Sequence, residues 1–171
     1  MSAADATTGS RRFVEVWIGL GVIVLDQITK AIVRQRFELH ESMVVIPGFF
    51  DLTRVHNTGA AFGMLNTADF PLKSVVLALV STAALAGVAL YAAMLPRQQW
   101  LARIGLAFIL GGAAGNLIDR VMLGHVVDFF DFYFREWHFW AFNIADAAIT
   151  LGVSLMILDL LGLGARVSRT V

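Results

Sequence analysis

Four long apolar stretches dominate the chain, separated by two polar and aromatic connections. Residues 13–33 carry charge only at Glu15, Asp26 and Lys30. Residues 72–95 carry only Lys73 and stop at Pro96. Residues 100–119 are broken by Arg103, Asn116 and Asp119, and residues 143–163 by Asp146 and Asp159. Each stretch approaches the ~20 residues that a helix needs to cross a bilayer core. The pattern predicts a membrane α-helical fold with four transmembrane helices, and an even number of spans puts both termini on one side.

The connection 37–71 reads differently. Met43-Val44-Val45-Ile46 is a short β-type run, Pro47-Gly48 is a turn signal, and Phe49 to Val55 is rich in aromatic and β-branched residues. Together they predict a small hairpin or sheet outside the membrane. The connection 122–142 holds Phe129, Phe130, Phe132, Tyr133, Phe134, Trp137, Phe139 and Trp140. Rings at this density belong at a membrane–water boundary, so this segment reads as an interfacial loop. The domain plan is a flexible tail at 1–12, one membrane domain at 13–163, and a tail at 164–171.

Composition sharpens the class. Of 171 residues, 58% are hydrophobic and 15% charged, against about 45–50% and 25% in soluble domains. The formal net charge is zero, which gives no electrostatic case for a nucleic-acid partner. With no cysteine, disulfides, thiolate catalysis and thiolate metal sites are excluded. Arg11, Arg12, Arg97, Arg103, Arg166 and Arg169 are packed into the termini and one short connection, so the positive-inside rule places both termini in the cytoplasm.

Charged residues in or beside apolar spans are costly, and each one is a candidate for function. Asp26 and Lys30 are four apart, hence an ion pair on one helix face. Asn57-Thr58-Gly59 reads as a turn, with a substrate contact by the Asn57 amide as the alternative. Gly111 and Gly115 form a small-xxx-small pattern that admits a neighbouring helix. Asn116, Asp119 and Arg120 share one face, as a polar knot or as ligands, and the Arg120 fork suits a lipid phosphate or a backbone carbonyl. His125 and Asp128 are three apart, but no metal-site spacing such as HExxH occurs, and no serine sits in a nucleophile-elbow context.

Asp128 and Asp146 remain. If they meet at one membrane depth, the two carboxyls can share one proton, the arrangement used in aspartic proteases. Asn143 is a natural N-cap with Asp146 at N3, where the helix dipole favours the ionised form. Asp128, among aromatic residues, is then the protonated partner. Asp131 is a second acid in the same segment, and composition alone does not choose between it and Asp128.

Asp26 to Lys30, Asn57 to Phe62, Gly112 to Arg120, Gly124 to Phe129 and Phe142 to Asp146, in that order, resemble the motifs of bacterial lipoprotein signal peptidases, the signal peptidase II family. The resemblance implies an intramembrane aspartic endopeptidase of the bacterial inner membrane with its active site near the periplasmic face. It would remove signal peptides from diacylglyceryl-modified prolipoproteins, cleaving before the lipidated cysteine. Carried over by motif, Asp128 and Asp146 are the catalytic pair. Asn57, Asn116, Arg120 and Asn143 hold substrate, and Asp26, Lys30 and Asp119 give structural support. The resemblance also implies no metal or organic cofactor, membrane lipids as surroundings, a monomer, and a β-sheet on the periplasmic side. Two other classes compete: a small proton-coupled transporter or channel, and a scaffold using the Gly111/Gly115 face. The clustering of the acids at one end and the lack of an internal repeat disfavour the first. The acid pair is unexplained by the second.

Overall fold

The computed structural model describes residues 3–59, 70, 72–96 and 98–162, with side chains from residue 13 onward. Residues 60–62 of the Asn57 motif and the tail 164–171 lie outside the described residues. The elements run α1 (Ala3–Arg36), β1 (Ser42–Ile46), β2 (Phe50–Asn57), α2 (Lys73–Met94), α3 (Trp100–Leu123), β3 (Val126–Phe134), β4 (Trp137–His138) and α4 (Ile144–Leu160).

Among the described residues, three helical stretches are long and apolar enough to cross a membrane: Phe13–Arg36, Lys73–Met94 and Trp100–Leu123. α4 has 17 residues, about 25 Å of helix, and is the shortest of the four. α1 begins at Ala3, so the stretch read as a flexible tail continues the helix. An existing helix extends at the cost of one residue per hydrogen bond, and alanines at 3, 4 and 6 favour that extension.

α3 is the central helix and packs against α1, α2 and α4. Glycines set these contacts. A Cβ on Gly111 would lie 2.7 Å from the Gly19 carbonyl oxygen of α1, and one on Gly105 would lie 2.6 Å from the Gly152 carbonyl oxygen of α4. A Cβ on Gly112 would collide with the Ala145 carbonyl. The small-residue face expected at Gly111 and Gly115 is therefore real, and it joins helices of the same chain. Gly115 makes room for a carboxylate, since its Cβ would sit 2.6 Å from Asp26 Oδ2. α2 buries no residue; Leu79, Leu90 and Met94 are exposed, a surface suited to lipid.

The expected hairpin forms, with Gly48 in the left-handed region at the turn. The second connection departs from expectation: it is part of the sheet. The four strands are antiparallel in the order β1-β2-β3-β4. Dense aromatic residues in 126–134 serve as β-formers here, and pairing with β2 satisfies their backbone. Rings stack across the strands, Phe50 on Phe132 at 4.6 Å and Phe132 on Phe142 at 5.8 Å. Val127 and Phe129 pack against Val33, which ties the last turns of α1 to the sheet. Helix ends and sheet thus converge at one end of the molecule.

Candidate active site

β3 carries Asp128 and the first turn of α4 carries Asp146. Asn143 joins them. Its carbonyl-side Oδ1 accepts from the Asp146 backbone N–H at 3.0 Å, and the Asp146 side chain reaches back to the Asn143 N–H at 3.4 Å, a capping box that starts α4. The Asn143 Nδ2 donates to Asp128 Oδ1 at 2.6 Å. One residue therefore caps the helix and touches both acids.

Two more amides complete the surround. Asn57 Nδ2 donates to Asp128 Oδ2 at 3.0 Å, while its Oδ1 accepts from the Gly59 N–H at 2.9 Å. The predicted turn at 57–59 is present, and it aims the amide at the acid. Asn116 Nδ2 donates to Asp146 Oδ1 at 2.8 Å.

Behind these amides lies a buried ionic cluster. Lys30 Nζ meets Asp26 Oδ2 at 2.8 Å, Asp119 Oδ2 at 3.1 Å and Asn116 Oδ1 at 2.9 Å. Three acceptors use the three ammonium hydrogens, which is what a fully buried lysine requires. Asp26 also accepts from the Ala145 N–H at 3.0 Å and Asp119 from the Val127 N–H at 3.0 Å. The cluster thus fastens α1, α3, β3 and the start of α4 together. The expected Asp26–Lys30 pair is one edge of it. Gln27 went unnoticed in the sequence, yet its Nε2 bonds Asp119 at 3.1 Å and the Gly115 carbonyl at 3.2 Å. Its signal was a polar residue inside an apolar run, next to Asp26.

Arg120 donates to the carbonyls of Gly59 (3.2 Å) and Asn116 (3.4 Å), the backbone alternative of the two foreseen for its fork. His125 stacks on His56 with ring centroids 3.7 Å apart. Burial first, then the charges of His125, Arg54 and His40, hold His56 down to about 4, so it is neutral at pH 7. Asp131 pairs with His138 at 2.9 Å and is separate from the cluster. Asp128 lies in the first half of β3, where Val126 to Phe129 are all buried, whereas Asp131 lies in the more open second half.

Burial, and next the neighbouring Asp146 charge, push the Asp128 carboxyl up to about 7, against the donations from Asn57 and Asn143. Asp146 is thus close enough for its charge to be felt at Asp128.

Residues 18–162 match the family described as Signal peptidase (SPase) II. The chain belongs to the signal peptidase II family. A lipoprotein signal peptidase of Symbiobacterium thermophilum is 43% identical over 143 residues, spanning 84% of this chain and 91% of that one. The lipoprotein signal peptidase of Geobacter sulfurreducens is 46% identical over 142 residues, covering 83% and 88%. A solved bacterial membrane enzyme superposes with a TM-score of 0.74 at 32% identity, covering 87% of this chain and 88% of that structure. Family membership makes the chain a peptidase.

Proposed function

We propose that this chain is a membrane-embedded aspartic endopeptidase that removes signal peptides from diacylglyceryl-modified prolipoproteins, with Asp128 and Asp146 as its catalytic pair. The observation that carries the reading is the joint hydrogen bonding of both carboxylates to Asn143. A carboxylate takes a proton from water, the water attacks the scissile carbonyl, and the protonated partner donates to the developing oxyanion. Asn57, Asn116, Arg120 and Asn143 line this centre and are the groups nearest to a bound peptide. Asp26, Lys30 and Asp119 hold the frame.

In this reading α4 is the fourth span. Its shortness is offset because its N-terminus meets the sheet rather than lipid. Both termini face the cytoplasm, and the sheet, with the active site, lies at the periplasmic face of the inner membrane. The chain acts as a monomer among membrane lipids, and an acylated substrate enters laterally from the bilayer. Cleavage of a diacylglyceryl prolipoprotein peptide by the purified protein in detergent is the direct test. The unlipidated peptide is the control, and cleavage of neither would end the proposal. For topology, a cysteine placed by Glu136→Cys should label from outside the cell and one placed by Gln98→Cys only after permeabilisation. The opposite pattern would put the acid pair on the cytoplasmic side.

A further inference from the structure

The amides around the two acids are not free to turn. Asn57 Oδ1 is fixed by the Gly59 N–H at 2.9 Å. Asn116 Oδ1 is fixed by the Lys30 ammonium at 2.9 Å. Asn143 Oδ1 is fixed by the Asp146 N–H at 3.0 Å. A backbone N–H and an ammonium only donate, so each of the three oxygens must stay where it is. Each NH2 therefore points at a carboxylate. Asn57 and Asn143 donate to the two oxygens of Asp128, at 3.0 and 2.6 Å, and Asn116 donates to Asp146 Oδ1 at 2.8 Å.

All four carboxylate oxygens face a donor, three of them at 2.6–3.0 Å; the fourth, Asp146 Oδ2, has the longest contact, to the Asn143 N–H at 3.4 Å. A carboxyl proton facing an NH2 would set donor against donor. We infer that the proton shared by the pair rests on Asp146 Oδ2 in the free enzyme, leaving Asp128 as the carboxylate that activates water. This rests on the catalytic reading above and reverses the assignment that the helix dipole and the burial of Asp128 both suggest. The α4 N-terminus does favour an ionised Asp146, but the dipole effect is weaker than two hydrogen bonds to a charged acceptor.

The proton balance then closes. Asp128 takes a proton from water as the water oxygen bonds to the scissile carbon, and Asp146 Oδ2–H gives its proton to the carbonyl oxygen. On collapse the C–N bond breaks and the leaving nitrogen takes the proton from Asp128. A hydroxyl of the tetrahedral intermediate returns its proton to Asp146, which restores the starting state. Lys30 is a positioning residue in this scheme, since it fixes Asn116 as the donor to Asp146.

Thermal unfolding in detergent at pH 6 separates the two assignments without relying on turnover. Asp128→Asn must turn an NH2 toward either Asn57 or Asn143, and its Tm should fall by about 5 °C. Asp146→Asn replaces a neutral acid by a neutral amide that can keep its oxygen toward Asn116 and loses only the long 3.4 Å cap contact, so its Tm should fall by clearly less. Adding Asn57→Asp to Asp128→Asn exchanges donor and acceptor between the two positions. The double variant should recover most of the lost Tm, or recover folding if the single variant does not fold. Equal or reversed losses in the two single variants, or no recovery in the double variant, would overturn the inference. Cleavage assays on the same proteins report on the catalytic reading separately. Near-parental turnover by either folded single variant would sink that reading whatever its Tm.

Discussion

The two ends of the helix bundle differ in what is added to close helix packing. At the sheet end, charged and amide side chains are buried and almost fully partnered: Asp26, Lys30, Asn116, Asp119, Asp128 and Asn143 are each at most 8% exposed. At the other end the helices meet through small residues, with Gly105 against Gly152 and Gly111 against Gly19, and the ion pair of Glu15 with Arg103 is partly exposed. Small-residue packing brings helices close but leaves them with little that fixes position along the seam. Directional hydrogen bonds fix both position and rotation. Small residues also bring the helices together at the sheet end, at Gly112 and Gly115, but there directional bonds are added around the two carboxyls.

The largest effect expected from breaking this contrast is at Lys30. Lys30→Met leaves Asp26 and Asp119 buried without their cation, a loss of about 3–5 kcal/mol, comparable to breaking a buried ion pair. The measurement is recovery of monodisperse folded protein from detergent, and normal yield and Tm would refute the role given to the cluster. At the glycine seam, Gly152→Val should be costly through overpacking, by about 1–3 kcal/mol, because its side chain would meet the Gly105 carbonyl and Ile109. Its Tm should drop while any folded fraction keeps its cleavage rate per molecule. A lowered rate at unchanged Tm would mean that the two ends are coupled.

pH sharpens the contrast, because the sheet end carries a carboxyl raised into the neutral range. With Asp128 held up to about 7, the pair loses its shared proton above that pH, and the cleavage rate should fall on the alkaline side of a profile. The sign for stability is the same. Between about pH 4 and 7 the folded protein keeps a proton that the unfolded chain has lost, so stability declines across that window as pH rises. A rate that stays flat from pH 6 to 9 would contradict the shared proton.

The smallest effects belong to the exposed pairs. Glu15→Gln removes a two-point contact to Arg103 (2.6 Å at each oxygen), yet both side chains are partly solvated, so about 1 kcal/mol or less is expected. Asp131→Asn, which loses a pairing with the exposed His138, should leave cleavage near the parent rate. An inactive Asp131→Asn protein would show that the wrong acid of β3 has been assigned.

Much of this contrast could be read from the sequence. Apolar length located the helices, and the i,i+4 spacing located the Asp26–Lys30 pair. The hairpin at 42–57 showed itself through Pro47-Gly48. The strand β3 did not, because Val126-Val127 and Phe129-Phe130 are apolar neighbours that hide the alternation and resemble a membrane-surface loop. The links from Lys30 to Asn116 and from Asp26 to the Ala145 N–H join residues 86 and 119 positions apart, and nothing local signals them. Spacing also could not show that Asn57, Asn116 and Asn143 all turn their amides toward the two acids. That follows only once each oxygen partner is placed.

The most direct test of the central claim is a single-turnover cleavage assay with a diacylglyceryl prolipoprotein peptide in detergent, comparing the parent with Asp128→Asn and Asp146→Asn. The account predicts that each variant, inserted and folded, loses activity by about 10³-fold or more, and that the double variant is scarcely worse than either single one, as expected of groups that act as a unit. Near-parental cleavage by either folded single variant would contradict it.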